Sequence, residues 1–526
     1  AKIVIILFTW SVMPRSWYVL DTIYLMILIG ATRVSYRLIR LRRQNRTFPW
    51  SKRKKVMIIG GGEAGRSLIT EIQNSKYLDQ KVVCIIDDDP YKIGRYIKGV
   101  KVVGNRNSIK KSVKKYNVQQ IILTIPSANA AKIRPIVEIC QDTNCELMIL
   151  PGVYQLVNGE VKASKLRPVN IDDLLGRDEV HVNLNEVMDY VSGRVIMVTG
   201  GGGSIGSELC RQIAKHSPKQ LIIFDIYENN AYDIQQELLR EQPKLDLVVL
   251  IGSVRDENRI NSIFEQYRPE IIYHAAAHKH VPLMEGSPNE AIKNNVLGTY
   301  NMVRMADKWN AKRFVQISTD KAVNPTNIMG ASKRICEMII QTYNKESNTE
   351  YVAVRFGNVL GSNGSVIPLF KKQIAEGGPV TVTHPEIIRY FMTIPEAVSL
   401  VLQAGAYAKG GEIFVLDMGE PVKILDLARN MIRLSGYKVD QDIKIEFTGL
   451  RPGEKLYEEL LMDEEGMTDT PNKLIHIGHP IDVDEVKLAH ALRVLESAAQ
   501  NETDDMRLIV ESIVPTYHPK LNKSTQ

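Results

Sequence analysis

Residues 194–206 read Arg-Val-Ile-Met-Val-Thr-Gly-Gly-Gly-Gly-Ser-Ile-Gly, a short apolar run followed at once by the glycine pattern T-G-x-x-G-x-x-G. The apolar, β-branched run predicts a buried strand, and the glycines permit a tight turn into residues 207–215, which have helical periodicity. Backbone amides at the start of such a helix bind phosphate groups. The stretch therefore predicts a strand–turn–helix unit of a doubly wound parallel sheet that binds a dinucleotide.

An acidic residue follows the second strand of this unit. The apolar run at residues 220–224 ends at Asp225, 25 positions after Gly200, near the spacing at which a carboxylate accepts hydrogen bonds from the adenosine ribose. This arrangement favours NAD over NADP. We therefore predict bound NAD, held by the glycine turn and the ends of four strands. The predicted contacts are Thr199, Gly200, Gly203, Ser204, Ile205, Gly206, Asp225, Ser253, Val254, Ala275 and Ala276.

The same pattern occurs earlier in the chain. Residues 55–65 again combine a short strand with G-x-G-x-x-G, and strands alternate with helices up to about residue 150. We predict an accessory Rossmann-like domain at residues 55–150, a connector at 151–190 and a larger domain at 191–526. Beyond Asp463 we expect a small mixed subdomain with a C-terminal helix at residues 484–500. The accessory domain is either a nucleotide-binding domain or one retained for assembly. The predicted fold class is α/β, with two Rossmann-like doubly wound parallel-sheet domains preceded by transmembrane helices.

Composition narrows the class of protein. With 526 residues, 44% of them hydrophobic and 24% charged, the chain has the profile of a folded protein of two to four domains. Its five cysteines lack the spacing of a zinc or redox site, so we expect reduced thiols and no metal site. The net charge of +7 is concentrated in residues 33–55, which hold ten basic residues and no acidic one. This distribution argues against a nucleic-acid partner.

Two apolar runs precede the basic cluster, at residues 3–13 and 17–32. A bilayer span needs about 20 residues, which the second run reaches with its flanks. The first is shorter and the chain begins with Ala, so we predict a truncated transmembrane hairpin and basic linker at residues 1–54. The positive-inside rule then predicts a multi-pass protein of the inner membrane with its catalytic domains in the cytoplasm. The alternative is a buried amphipathic hairpin.

A cluster of reactive side chains follows the strand predicted at residues 313–317. Thr319, Asp320 and Lys321 come directly after it, and a helix starting near Met329 returns Lys333 one turn later. Ligands of open α/β sheets bind beyond the carboxyl ends of the strands, so the cluster predicts a catalytic site. A helix cap with a solvated acid and lysine is the structural alternative.

These motifs resemble a known family. Together with His-Ala-Ala-Ala-His-Lys-His-Val-Pro-Leu-Met-Glu at 274–285 and Asn-Val-Leu-Gly-Thr at 295–299, they resemble the extended short-chain dehydrogenase/reductases, specifically the membrane-anchored bacterial UDP-N-acetylglucosamine 4,6-dehydratases. The resemblance covers nearly the whole chain. It implies oxidation of the sugar at C4 with NAD, elimination of water across C5 and C6, and return of the hydride to C6. The product would serve capsule, O-antigen or protein-glycan synthesis.

The resemblance also implies catalytic roles. Thr319 would hydrogen-bond the C4 oxygen, Asp320 would be the acid at C6, and Lys321 would be the base at C5, which requires a lowered Lys321 pKa. Lys333 would hold the nicotinamide ribose and stabilise negative charge. Met329 stands where most of the superfamily has a tyrosine base. The long membrane-bound members resemble this chain in that respect, and the group that deprotonates the C4 hydroxyl stays open.

Residues 355–368 and 449–455 resemble segments that hold the substrate nucleotide in this superfamily. The resemblance therefore implies that residues 191–526 form a catalytic domain that ends in a nucleotide-sugar-binding subdomain. The implied substrate contacts are Lys279, Asn358, Arg389, Arg451 and Glu454. Arg451 suits the diphosphate because its guanidinium binds two oxygens at once. Glu454 would bind the ribose or form an ordering ion pair. Arg389 is either a second phosphate contact or part of a surface salt bridge.

Other functions stay open at this point. A UDP-sugar C4 epimerase shares the fold and both ligands but needs the absent tyrosine, and the C5-inverting dehydratases of the family are soluble and keep it. A non-catalytic membrane scaffold that senses NAD or nucleotide-sugar would explain Met329, but the intact Thr319–Asp320–Lys321 cluster opposes it. We expect UDP-N-acetylglucosamine as substrate, the bacterial membrane as a partner, and a homo-oligomer.

Overall fold

The computed structural model describes residues 15–44, 53–75, 78–128, 130–143, 145–150, 166–169, 188–459, 466–478 and 483–518. These residues divide into two compact units, the first within 1–128 and 135–169 and the second within 129–134 and 170–526. Most of the predicted connector and the whole of the first apolar run lie outside the described residues. Their predicted structures therefore stay predictions.

The N-terminal helix α1, Arg15–Gln44, carries the second apolar run. Within the residues that the structure describes, α1 is the one helix whose length and composition would let it cross a membrane, from Val19 to Arg37. Its apolar side chains are exposed, including Leu20 at 62% and Ile27 at 64%. The structure thus shows one candidate span, and the predicted hairpin is not supported by the described residues.

The described residues of the first unit form seven strands and, besides α1, three α-helices. The strands are β1 (Lys54–Ile59), β2 (Gln80–Ile86), β3 (Tyr96–Ile97), β4 (Val100–Gly104), β5 (Gln120–Leu123), β6 (Glu146–Ile149) and β7 (Arg167–Pro168), and the helices are α2 (Glu63–Asn74), α3 (Ile109–Tyr116) and α4 (Ala130–Gln141). The sheet order is β3-β4-β2-β1-β5-β6-β7. The central strand β1 is parallel to β2 and β5, and its last four residues are buried, as expected of a strand covered on both faces.

The second unit contains a larger sheet and three short strand pairs. Its strands are β8 (Val195–Thr199), β9 (Gln220–Asp225), β10 (Leu247–Ile251), β11 (Ile271–His274), β12 (Arg313–Ile317), β13 (Glu350–Arg355), β14 (Asn358–Val359), β15 (Val380–Val382), β16 (Ile388–Arg389), β17 (Phe391–Met392), β18 (Ile413–Leu416), β19 (Val422–Lys423), β20 (Ile445–Phe447), β21 (Met467–Asp469) and β22 (Ile475–Gly478).

The helices of this unit are α5 (Ser204–Ala214), α6 (Glu228–Glu241), α7 (Glu257–Tyr267), α8 (Val281–Gly286), α9 (Pro288–Ala291), α10 (Gly298–Lys308), α11 (Ile328–Glu346), α12 (Val366–Ala375), α13 (Ile394–Tyr407), α14 (Ile424–Leu434), α15 (Glu485–Gln500) and α16 (Met506–Ile513). A π-helical turn, Ile292–Leu297, leads into α10.

The main sheet of the second unit has the order β10-β9-β8-β11-β12-β13-β18-β22-β21. The strands from β10 to β18 are parallel, and β8 lies at the point where the order reverses. Met197 packs into the hydrophobic cluster on one face of this sheet, and its neighbours Ile196 and Val198 pack into the cluster on the other. The predicted α/β class with two doubly wound units is confirmed, and the switch point beside β8 is where such sheets bind ligands.

The chain after residue 466 completes this sheet. We predicted a small mixed subdomain beyond Asp463, but β22 pairs antiparallel with β18 and β21 pairs with β22. Buried residues of α15 and α16, such as Leu492 and Val510, join the same hydrophobic cluster as α11. The C-terminal segment is therefore built into the core of the second unit.

Candidate functional site

The glycine turn after β8 brings backbone segments closer than side chains would allow. Gly200 has φ +64°, and a Cβ placed there would lie 2.9 Å from the backbone of Ala276. A Cβ on Gly206 would lie 2.0 Å from the carbonyl oxygen of Gly200. Only glycine fits at these two positions, and the tight turn leaves the amides at the start of α5 open to a diphosphate. The cradle fits a dinucleotide.

Asp225 ends β9 beside this turn and is 9% exposed. Its Oδ2 accepts a hydrogen bond from the Gly202 amide at 2.8 Å, and its Oδ1 accepts one from the Tyr227 amide at 2.8 Å. The carboxylate is thus held where it can accept further hydrogen bonds from ribose hydroxyls. The structure gathers the predicted cofactor residues at the carboxyl ends of four neighbouring strands and the start of α5. These residues are Thr199, Gly200, Gly203, Ser204, Ile205, Gly206, Asp225, Ser253, Val254, Ala275 and Ala276.

His274 joins two of these strand ends to a helix. Its Nδ1 lies 2.7 Å from Thr199 Oγ1, and its Nε2 lies 3.1 Å from Thr299 Oγ1. Burial, with the nearby charge of Lys333, lowers the His274 pKa to about 3. The ring is therefore neutral and acts in packing. No group of three metal-ligating side chains occurs in the part of the chain that the structure describes.

Thr319, Asp320 and Lys321 follow β12 directly, as predicted. Asp320 is 1% exposed, and its Oδ1 accepts hydrogen bonds from Lys321 Nζ at 2.9 Å and from Thr319 Oγ1 at 2.8 Å. Its Oδ2 is buried without a hydrogen bond and would lie 3.2 Å from a Cβ placed on Gly357. A buried carboxyl group with one unused oxygen is suited to exchanging a proton with a substrate.

Lys321 differs from the prediction in its charge. Its Nζ also lies 3.4 Å from Asn358 Oδ1 and 3.9 Å from Glu458 Oε1. Burial lowers the pKa of Lys321, but the carboxylates of Asp320 and Glu458 outweigh that effect and leave the pKa above its ordinary value. The lowered pKa that the role of base requires is thus not observed here. Desolvation or neighbouring positive charge was expected to supply it, and burial does act in that direction, but the adjacent groups are mainly anionic.

Met329 and Lys333 lie one turn apart at the start of α11. Met329 is 3% exposed and Lys333 is 6% exposed. Burial lowers the pKa of Lys333. The Met329 side chain belongs to a hydrophobic cluster, and its sulfur is no base at neutral pH. The charge of Lys333 acts on His274 at the end of β11, and the contact of Lys333 with the nicotinamide ribose stays a prediction.

Two hydrogen bonds fix the start of α11. Asn327 Oδ1 accepts from the Gly330 amide at 2.8 Å, and Glu285 Oε1 accepts from the Ile328 amide at 2.7 Å. Glu285 is held in turn by Arg507 of α16, whose Nε lies 3.3 Å from Glu285 Oε2. The position of α11 thus depends on α8 and on α16, the last helix of the described chain.

A buried ionic cluster lies next to the turn that carries Thr319, Asp320 and Lys321, and it was not predicted from the sequence. Arg355 donates to both oxygens of Glu337 at 2.7 Å, Arg334 donates at 2.9 Å and Ser318 Oγ at 2.7 Å. Burial raises the Glu337 pKa, but the two arginines reverse this and lower it to about 2. The cluster ties α11 to β12 and β13. Glu337 lies four residues after Lys333, which places both residues on the same face of the helix. This spacing was the feature of the sequence that could have indicated the cluster.

The predicted nucleotide contacts occupy two environments. Arg451 is exposed at the surface, and its Nη2 donates to Glu454 Oε1 at 3.0 Å, the ordering ion pair foreseen as one role for Glu454. Arg389 is only 9% exposed, donates to the carbonyl of Lys455 at 2.8 Å, and lies 3.5 Å from Glu454. Arg389 is therefore no surface salt bridge, and its phosphate contact stays a prediction. Lys279 is exposed. Burial, together with the charges of Lys279 and Arg451, lowers the pKa of His280.

The segment that carries Arg451 packs against the residues that follow Lys321, from Val323 to Asn327. Thr326 Oγ1 and Asn327 Nδ2 donate to the Gly453 carbonyl at 3.0 and 3.1 Å. Lys455 Nζ donates to the Val323 carbonyl at 3.1 Å. Two motifs that are far apart in sequence thus form one site.

Comparison with known proteins identifies the family. Residues 196–480 match the polysaccharide biosynthesis protein family, and residues 3–151 match a CoA-binding domain family. The chain is 49% identical over 443 residues to the capsular polysaccharide biosynthesis protein CapD of Staphylococcus aureus, across 84% of this chain and 73% of the relative. It is 47% identical over 457 residues to the probable polysaccharide biosynthesis protein EpsC of Bacillus subtilis, across 87% of this chain and 76% of the relative. The X-ray structure of Pen from Bacillus thuringiensis is similar with a TM-score of 0.51 and 35% identity, across 56% of this chain and 89% of that one. The chain therefore belongs to the polysaccharide biosynthesis protein family, within the extended short-chain dehydrogenase/reductases.

Proposed function

We propose that this enzyme of the nucleotide-sugar dehydratase/epimerase class is an NAD-dependent 4,6-dehydratase of UDP-N-acetylglucosamine. The observation that carries the proposal is the hydrogen-bonded pair of Asp320 and Lys321 just after β12, in which the Asp320 side chain is 1% exposed and the Lys321 side chain 17% exposed. Elimination of water across C5 and C6 needs a base and an acid side by side. An epimerase that works only at C4 needs no such pair. The names of the relatives in Staphylococcus and Bacillus support a product used in a bacterial capsule or related glycan.

NAD fits the cofactor side of this proposal. The close-packed turn from Gly200 to Gly206 would hold the diphosphate, Asp225 the adenosine ribose, and Lys333 the nicotinamide ribose. When bound, NAD supplies the hydride acceptor at C4 and the hydride donor at C6. Because the same cofactor accepts and returns the hydride, none is consumed over a turnover.

The paired side chains supply the proton transfers. Lys321 is an ammonium ion, because its pKa is raised, and Asp320 Oδ1 is its acceptor at 2.9 Å. Transfer of one proton from Lys321 to Asp320 yields an amine that takes the C5 proton and a carboxylic acid that protonates the leaving C6 oxygen. The C6–O bond then breaks and water departs. Thr319 hydrogen-bonds the C4 oxygen and keeps the sugar aligned with this pair.

We infer that α1 anchors the chain in the inner membrane with the catalytic unit in the cytoplasm. The support is the apolar stretch from Val19 to Arg37 and the basic residues that follow it. The multi-pass topology and the homo-oligomer stay predictions.

The test is incubation of the full chain in detergent with UDP-N-acetylglucosamine, with and without added NAD, followed by mass spectrometry of the nucleotide-sugar. We expect the mass to fall by one water, and a Lys321→Ala variant prepared in the same way should leave the mass unchanged. An unchanged mass with inverted C4 by NMR would identify an epimerase. An unchanged sugar in a chain that retains NAD would identify a scaffold, and NMR of a dehydrated product would show whether C5 is inverted.

A further inference from the structure

Glu458 is a buried carboxylate with no role in the predictions from sequence. It lies four residues after Glu454, and its side chain is 5% exposed. Its Oε1 is 3.9 Å from Lys321 Nζ and 3.8 Å from Arg389 Nη2. Burial raises the Glu458 pKa above its ordinary value, and the charges of Lys321 and Arg389 oppose that shift and favour the carboxylate.

Lys321 therefore has a carboxylate on each of two sides. Asp320, at 2.9 Å, precedes it in the chain, whereas Glu458 comes from the segment that carries the predicted nucleotide contacts. The other groups that face this pair are the guanidinium of Arg389, the ammonium of Lys455 and the neutral amide of Asn358.

We propose that Glu458 is a positioning residue of the dehydration, which holds the Lys321 side chain and couples it to occupancy of the nucleotide-binding segment. The inference rests on the proposed function, because that function makes Lys321 the base at C5. It extends the function by adding a second carboxylate to the acid–base site and by giving the substrate nucleotide a part in preparing the base.

The coupling runs through contacts of alternating charge. Arg451 pairs with Glu454 at 3.0 Å, Glu454 with Arg389 at 3.5 Å, Arg389 with Glu458 at 3.8 Å, and Glu458 with Lys321 at 3.9 Å. A diphosphate that binds Arg451 competes with Glu454, which then interacts more strongly with Arg389. Arg389 in turn stabilises the Glu458 carboxylate less, so this carboxylate protonates more readily. Its hold on the Lys321 charge weakens, and the neutral amine is favoured.

The sign of the effect follows from the two carboxylates. Asp320 and Glu458 both raise the pKa of Lys321 against the opposing effect of burial. Removal of the Glu458 charge should therefore lower the pKa of Lys321. The neutral amine would then form at lower pH, and the acidic limb of the pH–rate profile would move in the same direction.

The experiment compares Glu458→Gln with Glu459→Gln in the full chain. The control removes a carboxylate from the next residue, whose side chain is 52% exposed. Acetylation of Lys321 by acetic anhydride, measured by peptide mass spectrometry across pH, reports the fraction of neutral amine without requiring turnover. We expect the midpoint in Glu458→Gln to fall by about one pH unit, with a matching shift of the acidic limb of kcat, and no shift in Glu459→Gln.

The outcomes separate the two proposals. If the wild type dehydrates the substrate but a folded Glu458→Gln variant has an unchanged Lys321 midpoint, the inference is overturned and the proposed function stands. If the midpoint shifts in Glu458→Gln but the wild type does not dehydrate the substrate, the effect of Glu458 on Lys321 stands and the proposed function is overturned. UDP provides a test that needs no variant, because saturation of the wild-type chain with UDP should lower the midpoint. A midpoint that stays the same with UDP bound overturns the coupling.

Discussion

The two doubly wound units share one backbone plan. In each, a glycine in the first turn of the first helix packs on the turn before it, since an added Cβ would lie 2.1 Å from a carbonyl oxygen at Gly65 and 2.0 Å at Gly206. In each, an acid after or at the end of the second strand accepts a hydrogen bond from a glycine amide, at 2.7 Å for Asp87 and 2.8 Å for Asp225. The glycine pattern alone thus gives the two units the same local geometry.

The side chains around this plan differ. In the first unit, Lys92 Nζ lies 3.0 Å from Asp87, Ile97 packs against the glycine turn, and Glu63 stands in the first turn of α2. In the second unit, the hydrogen bonds to Asp225 come from backbone amides, and the first turn of α5 carries no acid. The comparison teaches that the glycine pattern sets a backbone shape, whereas the surrounding side chains set the chemistry.

The largest expected effect separates two lysines that each pair with an aspartate. Lys321→Ala should lower kcat for water loss by roughly 10²–10⁴-fold, because the proposed base is removed. Lys92→Ala, which removes the corresponding ion pair of the first unit, should leave kcat unchanged. The rates are measured by mass spectrometry of the nucleotide-sugar. Equal losses in the two variants would show that the first unit takes part in the chemistry.

The next effect concerns stability. Glu337→Gln removes a carboxylate that is fully buried between Arg355 and Arg334, and it should cost about 3–5 kcal/mol in the free energy of unfolding. Asp88→Asn removes an exposed ion pair with Arg106 in the first unit, and it should cost about 0–1 kcal/mol. Hydrogen exchange, read peptide by peptide in a urea series, reports the two units separately. A larger loss for Asp88→Asn would contradict the contrast between the units.

The same carboxylate predicts a pH dependence. The Glu337 pKa is lowered from 4.5 to about 2 in the folded protein, so its stabilising contribution is full above pH 4.5 and is lost as the pH falls from 4.5 to about 2. We expect the second unit of the wild type to lose stability across that window. Glu337→Gln should show a smaller slope there, measured by hydrogen exchange or by denaturant unfolding at each pH.

The smallest expected effect sharpens the comparison of the two acids. Asp225→Asn should weaken NAD binding about 10- to 100-fold, because hydrogen bonds to a charged acceptor are worth about 1.5–3 kcal/mol. Asp87→Asn should leave bound NAD unchanged. Calorimetric titration of the full chain with NAD and the cofactor content after purification both measure this. A loss of NAD in Asp87→Asn would mean that the first unit also binds the dinucleotide.

Local patterns were predictable from sequence because neighbouring residues decide them. The strand predicted at 313–317 is β12, and the helix predicted from residue 484 begins at Glu485 with Asp484 as its cap. The stretch from Thr319 to Lys333 was also accessible, since a strand end, a short turn and a helix follow one another without interruption. The contacts of Asp320 with Thr319 and Lys321 are therefore between sequence neighbours.

Contacts between distant segments could not be predicted in this way. Glu337 and Arg355 meet only because α11 crosses β13, and Glu458 reaches Lys321 only because its segment docks on the catalytic turn. The raised pKa of Lys321 depends only in part on such a contact: burial lowers it, the adjacent Asp320 is the main cause of the rise, and Glu458, from another part of the sequence, adds to it. The burial of Arg389 likewise depends on carbonyl groups of that segment.

The contact between Glu285 and Arg507 bears on the order in which the protein is made. Glu285 caps the helix that carries Lys333, yet the arginine that holds it lies 222 positions later, in the last helix of the described chain. During translation, the start of α11 therefore acquires its full set of contacts only after Arg507 has left the ribosome. Helix α1 is thus synthesised long before the contacts that hold Lys333 in place are complete.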